Sequence, residues 1–208
     1  MLADLLDVVL PSACAGCQGP RSGSWSRLCE TCTARCPSQL WPLSVAGLDQ
    51  AWGWAPYDGV HGAALRRGKY RPDPSTLAEL GGHLASVSRG LAAHVDVVVP
   101  VPRSWRSLLA TGLEPAGLLA QPVARAARRP VSRVLRRRPG PAQAALSDDR
   151  RQTNVRGVFR AVASVSRQRV LLVDDVVTTG ATARACAAVL RDAGAERVLL
   201  LGACSPAL

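Results

Sequence analysis

Apolar positions along this chain fall into two recurring patterns, short unbroken runs and helical stripes. Val97-Val98-Val99 after Asp96, and Val170-Leu171-Leu172-Val173 after Arg169, are unbroken runs of the kind that strands buried on both faces of a parallel sheet carry. Residues 51–57, with Trp52 and Trp54 on one face, and residues 157–163 and 197–203 predict further strands. Helical patterns lie between them. They cover residues 60–70, ending in Lys69-Tyr70, and a segment opened by Thr76 and Glu79 as a capping box and running to about residue 93. They continue over residues 112–128, with a break near Pro122, and over the Ala-rich residues 181–193, closed by Gly194. Apolar residues at 2, 5, 6, 9 and 10 make one more stripe at the amino terminus. Strands alternating with helices predict an α/β fold, a parallel sheet with helices on both faces.

The amino-terminal part follows a different logic. Cys14-Ala15-Gly16-Cys17 and Cys29-Glu30-Thr31-Cys32 are two CxxC pairs separated by eleven residues. Each pair grips one ion from a tight turn, and the four thiolates of Cys14, Cys17, Cys29 and Cys32 complete a tetrahedral structural zinc site. A thioredoxin-like role needs a CxxC opening the helix of a βαβ unit, and no such context is present. Cys36 is a spare able to replace Cys32, while Cys186 and Cys204 sit in apolar contexts as packed thiols. Pro37 and Pro42 mark a linker. The expected organisation is a helix and zinc module over residues 1–42 and an α/β domain over residues 43–208.

Composition narrows the class. At 208 residues and 48% hydrophobic content, one α/β domain with a small appendage is the expected size. No apolar run approaches a membrane span, and residues 1–11 carry Asp4 and Asp7 without a basic residue, unlike a signal peptide. These features predict a cytoplasmic protein. The net charge is +11, Lys69 is the single lysine and isoleucine is absent, a bias that a GC-rich genome explains. Between Arg125 and Arg160 eleven arginines face only Asp148 and Asp149. Such a stretch is a footprint for nucleic acid or a polyphosphate ligand, or else a solvated face. Phe159 is its one aromatic, so the stacking platform of a single-strand binder is missing locally. Residues 136–157, rich in Arg, Pro and Gly, read as an irregular mobile-loop candidate.

The most informative stretch runs from Arg169 to Thr182. The apolar strand ends in two adjacent carboxylates, Asp174 and Asp175; Thr178, Thr179 and Gly180 follow, and a helix begins. A strand, glycine-bearing turn and helix aim free backbone N–H groups and a helix dipole at one point, where a phosphate sits. Carboxylates at the strand's carboxyl end suit sugar hydroxyls or a metal ion. A phosphate cradle beside an acidic pair is a site for a phosphorylated sugar; the alternative is a plain βα turn with a capping threonine.

This stretch resembles the type I phosphoribosyltransferase loop that binds phosphoribosyl pyrophosphate: four apolar residues, two acids, two apolar residues, any residue, then Thr-Gly-x-Thr. The wider chain resembles the ComF family, bacterial proteins named for competence in DNA uptake, which join a cysteine-rich module to a phosphoribosyltransferase-type domain. The marks are the four cysteines, Tyr57-Asp58-Gly59, Lys69-Tyr70, Asp96 through Val101-Pro102, Gln143 with Leu146, Arg151 with Asn154-Val155, Phe159 and the phosphate loop. One segment departs from the family. Where members usually carry an Arg-Gly-Phe-Asn-Gln-type segment, this chain has Thr111-Gly112-Leu113-Glu114-Pro115, so a fixed positive charge is lost and Arg103 or Arg106 is the candidate replacement.

The resemblance implies that Asp174 and Asp175 hold ribose hydroxyls and Mg²⁺, and that Thr178, Thr179, Gly180, Ala181 and Thr182 hold the 5′-phosphate. It also implies that Val101, Pro102 and Arg103 face pyrophosphate. Arg138, Gln143, Arg150, Arg151 and Asn154 belong to a possible closing loop. Thr178 stands where 6-oxopurine enzymes of this fold commonly place an acidic proton acceptor, so a 6-oxopurine substrate is not expected. No catalytic residue is readable. Three functions stay open: a transferase releasing pyrophosphate, a non-catalytic phosphoribosyl pyrophosphate sensor, and an accessory of DNA uptake that contacts single-stranded DNA or a motor protein.

Overall fold

The computed structural model describes residues 13–21, 26–138 and 157–206. In chain order the elements are α1 (Glu30–Ala34), β1 (Trp41–Pro42), β2 (Gln50–Pro56), α2 (Val60–Tyr70) and α3 (Pro74–Val87). A 3₁₀ turn over Arg89–His94 leads to β3 (Val97–Pro100), α4 (Trp105–Thr111), α5 (Pro115–Ala127) and β4 (Leu135–Arg137). The chain then forms β5 (Phe159–Ala161), β6 (Arg169–Val176), α6 (Ala181–Asp192) and β7 (Arg197–Ser205).

The main sheet has five strands in the order β1-β2-β7-β6-β3. It is parallel except at β1, which runs antiparallel along the β2 edge. Alternation along the strands explains the unbroken apolar runs. Val98, Leu171, Val173, Leu199 and Leu201 pack on one face with Leu77, Leu80 and Leu84 of α3 and Leu119 of α5. Val97, Val99, Val170, Leu172, Val198 and Leu200 pack on the other with Cys186 and Leu190 of α6 and with Phe159. Each fully buried Val or Leu side chain contributes about 1.5–3 kcal/mol, which makes these strands the most firmly held part of the fold. The chain is thus α/β with a mostly parallel sheet covered on both faces.

Four local expectations are corrected. Asp73, not Thr76, caps α3: its carboxylate accepts from the Ser75 and Thr76 amides at 3.0 and 3.2 Å, and Pro74 opens the first turn. Glu79 reaches elsewhere, accepting from the Ser26 hydroxyl at 2.7 Å and the Arg27 amide at 2.6 Å. The helix stops at Val87 and gives way to the 3₁₀ turn. The helix expected over residues 112–128 starts later, at Pro115, because Gly112 at φ +65° caps the end of α4, a short helix that the pattern did not show. Pro122 does not break α5; its ring lies over Gly81 of α3, where the missing side chain leaves room.

Residues 136 and 137, read as irregular, belong to β4, which pairs antiparallel with β5 in a second, two-stranded sheet. Residues 139–156, between these strands, and the expected helix over residues 2–10 lie outside the described residues. Among the described residues, no helix is long and apolar enough to cross a membrane.

Candidate functional site

Strands β3 and β6 are neighbours, and the Val101 amide donates to the Val173 carbonyl at 2.9 Å. Their carboxyl ends therefore open side by side, which brings together Val101-Pro102-Arg103 and Asp174-Asp175 although some 70 residues separate them. Asp174 has the inward parity of Leu172 and is 7% exposed. Its Oδ1 accepts the Asp175 amide at 2.9 Å. Burial and the neighbouring Asp175 carboxylate push Asp174 up to about 8, against the attraction of Lys69. Asp175 is met by a cation: Lys69 Nζ, from the last turn of α2, lies 2.8 Å from its Oδ2, with both side chains 17% exposed.

Beyond the acids, the Val177 amide donates to the Cys204 carbonyl at 2.8 Å, and the turn then exposes Thr178 and Thr179. Gly180 is buried at φ +70°, ψ 6°, the left-handed residue that opens α6. A Cβ there would lie 2.5 Å from Val45 Cγ1, so glycine answers both the backbone angle and the close approach. The Ala181 amide donates to Thr179 Oγ1 at 3.4 Å.

Arg103 is held by residues 111 and 113. Its Nη1 donates to Thr111 Oγ1 at 2.9 Å and to the Leu113 carbonyl at 3.3 Å. The Arg106 side chain lies outside the described residues.

These groups converge on a pocket of about 200 Å³. Val101, Pro102, Arg103, Asp174, Asp175 and Thr182 line it, whereas Thr178, Thr179, Gly180 and Ala181 form the adjoining turn without lining it. Lys69, Ser104, Ser107 and Arg137 line it too, and none of the four was singled out from the sequence as a site residue. The signal for Lys69 was its being the one lysine in an arginine-rich chain. Arg137 enters from β4 with its guanidinium 5.6 Å over the Phe159 ring. Arg138 is exposed, its amide donates to the Val158 carbonyl at 2.7 Å, and it does not line the pocket. Gln143, Arg150, Arg151 and Asn154 lie outside the described residues.

The Sγ atoms of Cys14, Cys17, Cys29 and Cys32 all lie within 4.8 Å of one another. Those of Cys17 and Cys29 are 3.7 Å apart, close to the edge of about 3.8 Å that a tetrahedron with 2.3 Å zinc–sulfur bonds requires. The Gly16 and Cys29 amides donate to Cys14 Sγ at 3.3 and 3.2 Å, and the Gly19 amide to Cys17 Sγ at 3.4 Å. Burial raises the Cys14 thiol, but the amides aimed at its sulfur outweigh burial and bring it down to about 6, whereas burial and the three neighbouring sulfurs push Cys32 up. The donor set fits a tetrahedral thiophilic ion. Cys36 stands apart, with its Sγ 3.2 Å from His61 Nε2. Cys186 and Cys204 are buried, and burial pushes Cys204 up to about 12.

The family model described as phosphoribosyl transferase domain matches residues 69–204, from Lys69 through β7. The chain belongs to this family. Among solved structures, it is similar to the glutamine phosphoribosylpyrophosphate amidotransferase of B. subtilis complexed with ADP and GMP. That likeness has 24% identity over 67% of this chain and 30% of that one, at a TM-score of 0.46. A structure described as the allosteric regulatory enzyme of purine biosynthesis shares 28% identity over 61% of this chain and 25% of its own, at 0.42. The purine phosphoribosyltransferase of Pyrococcus horikoshii shares 19% over 61% and 71%, at 0.37. The chain spans less than a third of the length of the first two. No curated protein matches it.

Proposed function

We propose that this protein binds phosphoribosyl pyrophosphate, or a related ribose 5-phosphate ligand, with Mg²⁺, and transfers the phosphoribosyl group to an acceptor with release of pyrophosphate. The observation that carries the reading is one pocket lined by an acidic pair, the end of β3 and three cations, Lys69, Arg103 and Arg137, beside a glycine turn at a helix amino terminus.

Asp174 and Asp175 receive the ribose hydroxyls, and the Thr178–Thr182 turn receives the 5′-phosphate through its amides. Val101, Pro102 and Arg103 face pyrophosphate. In the transfer, the bond from the anomeric carbon to pyrophosphate oxygen breaks as the acceptor's lone pair bonds to that carbon. Positive charge growing on the ribose is met by the acidic pair, and negative charge on the leaving group by Arg103 and Arg137. Mg²⁺ bound with the ligand neutralises pyrophosphate oxygens. Threonine at 178 argues against a 6-oxopurine acceptor.

The cysteine cluster holds structural zinc in this reading, within a module over residues 1–42, and the chain is a cytoplasmic ComF-type protein. A second reading has its own support: Arg136, Arg138 and Arg160 are exposed on the β4–β5 ribbon and suit a polyanion such as single-stranded DNA. Arg137 favours the first reading, because it lines the pocket although it is exposed like its neighbours.

Calorimetry with phosphoribosyl pyrophosphate and Mg²⁺ tests the proposal. Asp174→Asn with Asp175→Asn should weaken binding by roughly 1–3 kcal/mol per lost charged hydrogen bond. Unchanged affinity would make the turn purely structural. A pyrophosphate-release screen over acceptor bases then separates enzyme from sensor.

A further inference from the structure

Helix α2 touches both the pocket and the cysteine cluster. Its last turn carries Lys69, whose Nζ meets Asp175 Oδ2 at 2.8 Å. Two of its other polar side chains reach the cysteine turns. His61 Nε2 lies 3.1 Å from the Cys32 carbonyl, and a carbonyl only accepts, so this nitrogen carries the proton. Arg67 Nη1 donates to the Gly16 carbonyl at 2.6 Å and to the Ala15 carbonyl, both inside the first CxxC turn. The backbone of that turn also packs on the start of the helix: a Cβ on Gly16 would lie 3.3 Å from the Val60 carbonyl oxygen. Ala64 and Leu65 bury the remaining face in the core. The polar anchors of α2 thus include carbonyls of the cysteine segments and one carboxylate of the pocket, besides the Tyr57 carbonyl that accepts from Arg66 at 2.7 Å and Cys36 Sγ at 3.2 Å from His61.

Taking the pocket as a phosphoribosyl pyrophosphate site, we propose that Lys69 is a positioning residue for Asp175. We propose with it that the metal-loaded cysteine cluster holds α2, and hence Lys69, in register with the pocket, so that metal occupancy and ligand affinity are coupled. Asp174 and Asp175 are adjacent and enclosed, and two carboxylates so placed do not both stay ionised without a cation. The 2.8 Å contact with Lys69 fixes the place from which the Asp175 carboxylate accepts from ribose hydroxyls. The cation's place depends on a helix end two residues beyond Arg67. Loss of the ion frees the cysteine turns; half-buried Arg67 then lacks the carbonyls that now fix it, and buried His61 keeps only its contact with Cys36 Sγ. Unpaired buried polar groups favour another position of the helix end.

Coupling of this kind is reciprocal, and that makes it testable without any variant. In zinc-loaded wild type, phosphoribosyl pyrophosphate with Mg²⁺ should raise zinc affinity in equilibrium competition against a zinc-selective chelator. Zinc should raise phosphoribosyl pyrophosphate affinity in calorimetry by the same factor, about tenfold. Lys69→Met should weaken ligand binding and abolish the linkage, and Lys69→Arg should restore most of both. Arg67→Met, outside the pocket, should reduce ligand affinity and zinc affinity together. Ligand binding that is equally tight with and without zinc, or a linkage that survives Lys69→Met, overturns the proposal alone. No binding by zinc-loaded wild type overturns the pocket reading and this proposal with it.

Discussion

Gly180→Ala is the sharpest probe of the phosphate turn, because two separable costs meet at one atom. The first is conformational: at φ +70° an L-residue carries a penalty of about 1–2 kcal/mol. The second is steric. The new Cβ would lie 2.5 Å from Val45 Cγ1 and 3.0 Å from Val45 Cγ2. Carbon atoms prefer about 3.5–4.0 Å, so roughly 1 Å has to open. Overpacking of this size costs about 1–3 kcal/mol, and Val45, half-buried in the loop between β1 and β2, yields at the lower end.

The total is about 2–4 kcal/mol, which lowers the melting temperature by roughly 5–15 °C for a chain of this size. Val45→Ala removes both clashing methyl groups. The double variant should therefore recover the steric part and keep the conformational one. Phosphoribosyl pyrophosphate affinity should fall in both glycine variants, since the left-handed residue aims the turn's amides. Thermal unfolding of the four proteins in the cycle, with calorimetry on each, measures both effects. A single variant melting within a degree of wild type, or a double variant showing no recovery, would refute the steric account. Unchanged ligand affinity would refute the phosphate role of the turn.

Burial and Asp175 raise Asp174 from 3.8 to about 8, so the folded protein keeps a proton that the unfolded chain releases earlier. Stability should then fall as pH rises through that window, and Asp174→Asn should flatten the fall in urea unfolding followed from pH 4 to 8. Purified protein should carry close to one zinc per chain by elemental analysis, and Cys29→Ser should release the metal while the sheet stays folded; metal-free wild type would sink the assignment. Arg137→Gln should weaken phosphoribosyl pyrophosphate binding several-fold and leave single-strand affinity at physiological salt nearly unchanged; the reverse outcome in a salt titration would favour the DNA reading.

What could be read from the sequence was whatever repeats within a few residues. The runs at 97–99 and 170–173 announce buried strands because both faces of the sheet are covered, and residues 60–70 show a helix over the same bounds that the fold gives it. The CxxC pairs announce convergence because each turn already brings two thiols together. Capping at Asp73 was masked by the equally plausible Thr76 and Glu79, and Glu79 turned out to hold the amino-terminal segment instead. Pro122 looked like a breaker because the space over Gly81 belongs to another helix.

The same distinction holds in the pocket. Asp174, Asp175 and Val101 through Arg103 sit at strand ends that the parallel order makes neighbours. Lys69 arrives from a helix more than a hundred residues away from Asp175. Arg137 ends β4 and Arg138 follows it; both are exposed, and of the two only Arg137 lines the pocket, a difference that neighbouring positions in the sequence do not announce.

The acidic pair raises an apparent conflict, since a ligand carrying a 5′-phosphate and a pyrophosphate should be repelled by two carboxylates. The geometry removes most of that repulsion before any ligand arrives. Burial and the neighbouring carboxylate push Asp174 up, which weakens its charge, and Lys69 Nζ stands 2.8 Å from Asp175 as a counter-charge. Arg103 and Arg137 then add positive charge to the pocket's lining. Thr111 and the Leu113 carbonyl hold the guanidinium of Arg103, itself a lining residue, in place. In the proposed site, an acidic pair for ribose hydroxyls is compatible with a polyanionic ligand because the repulsion of each carboxylate is moderated by a different means, one by burial and one by the chain's single lysine.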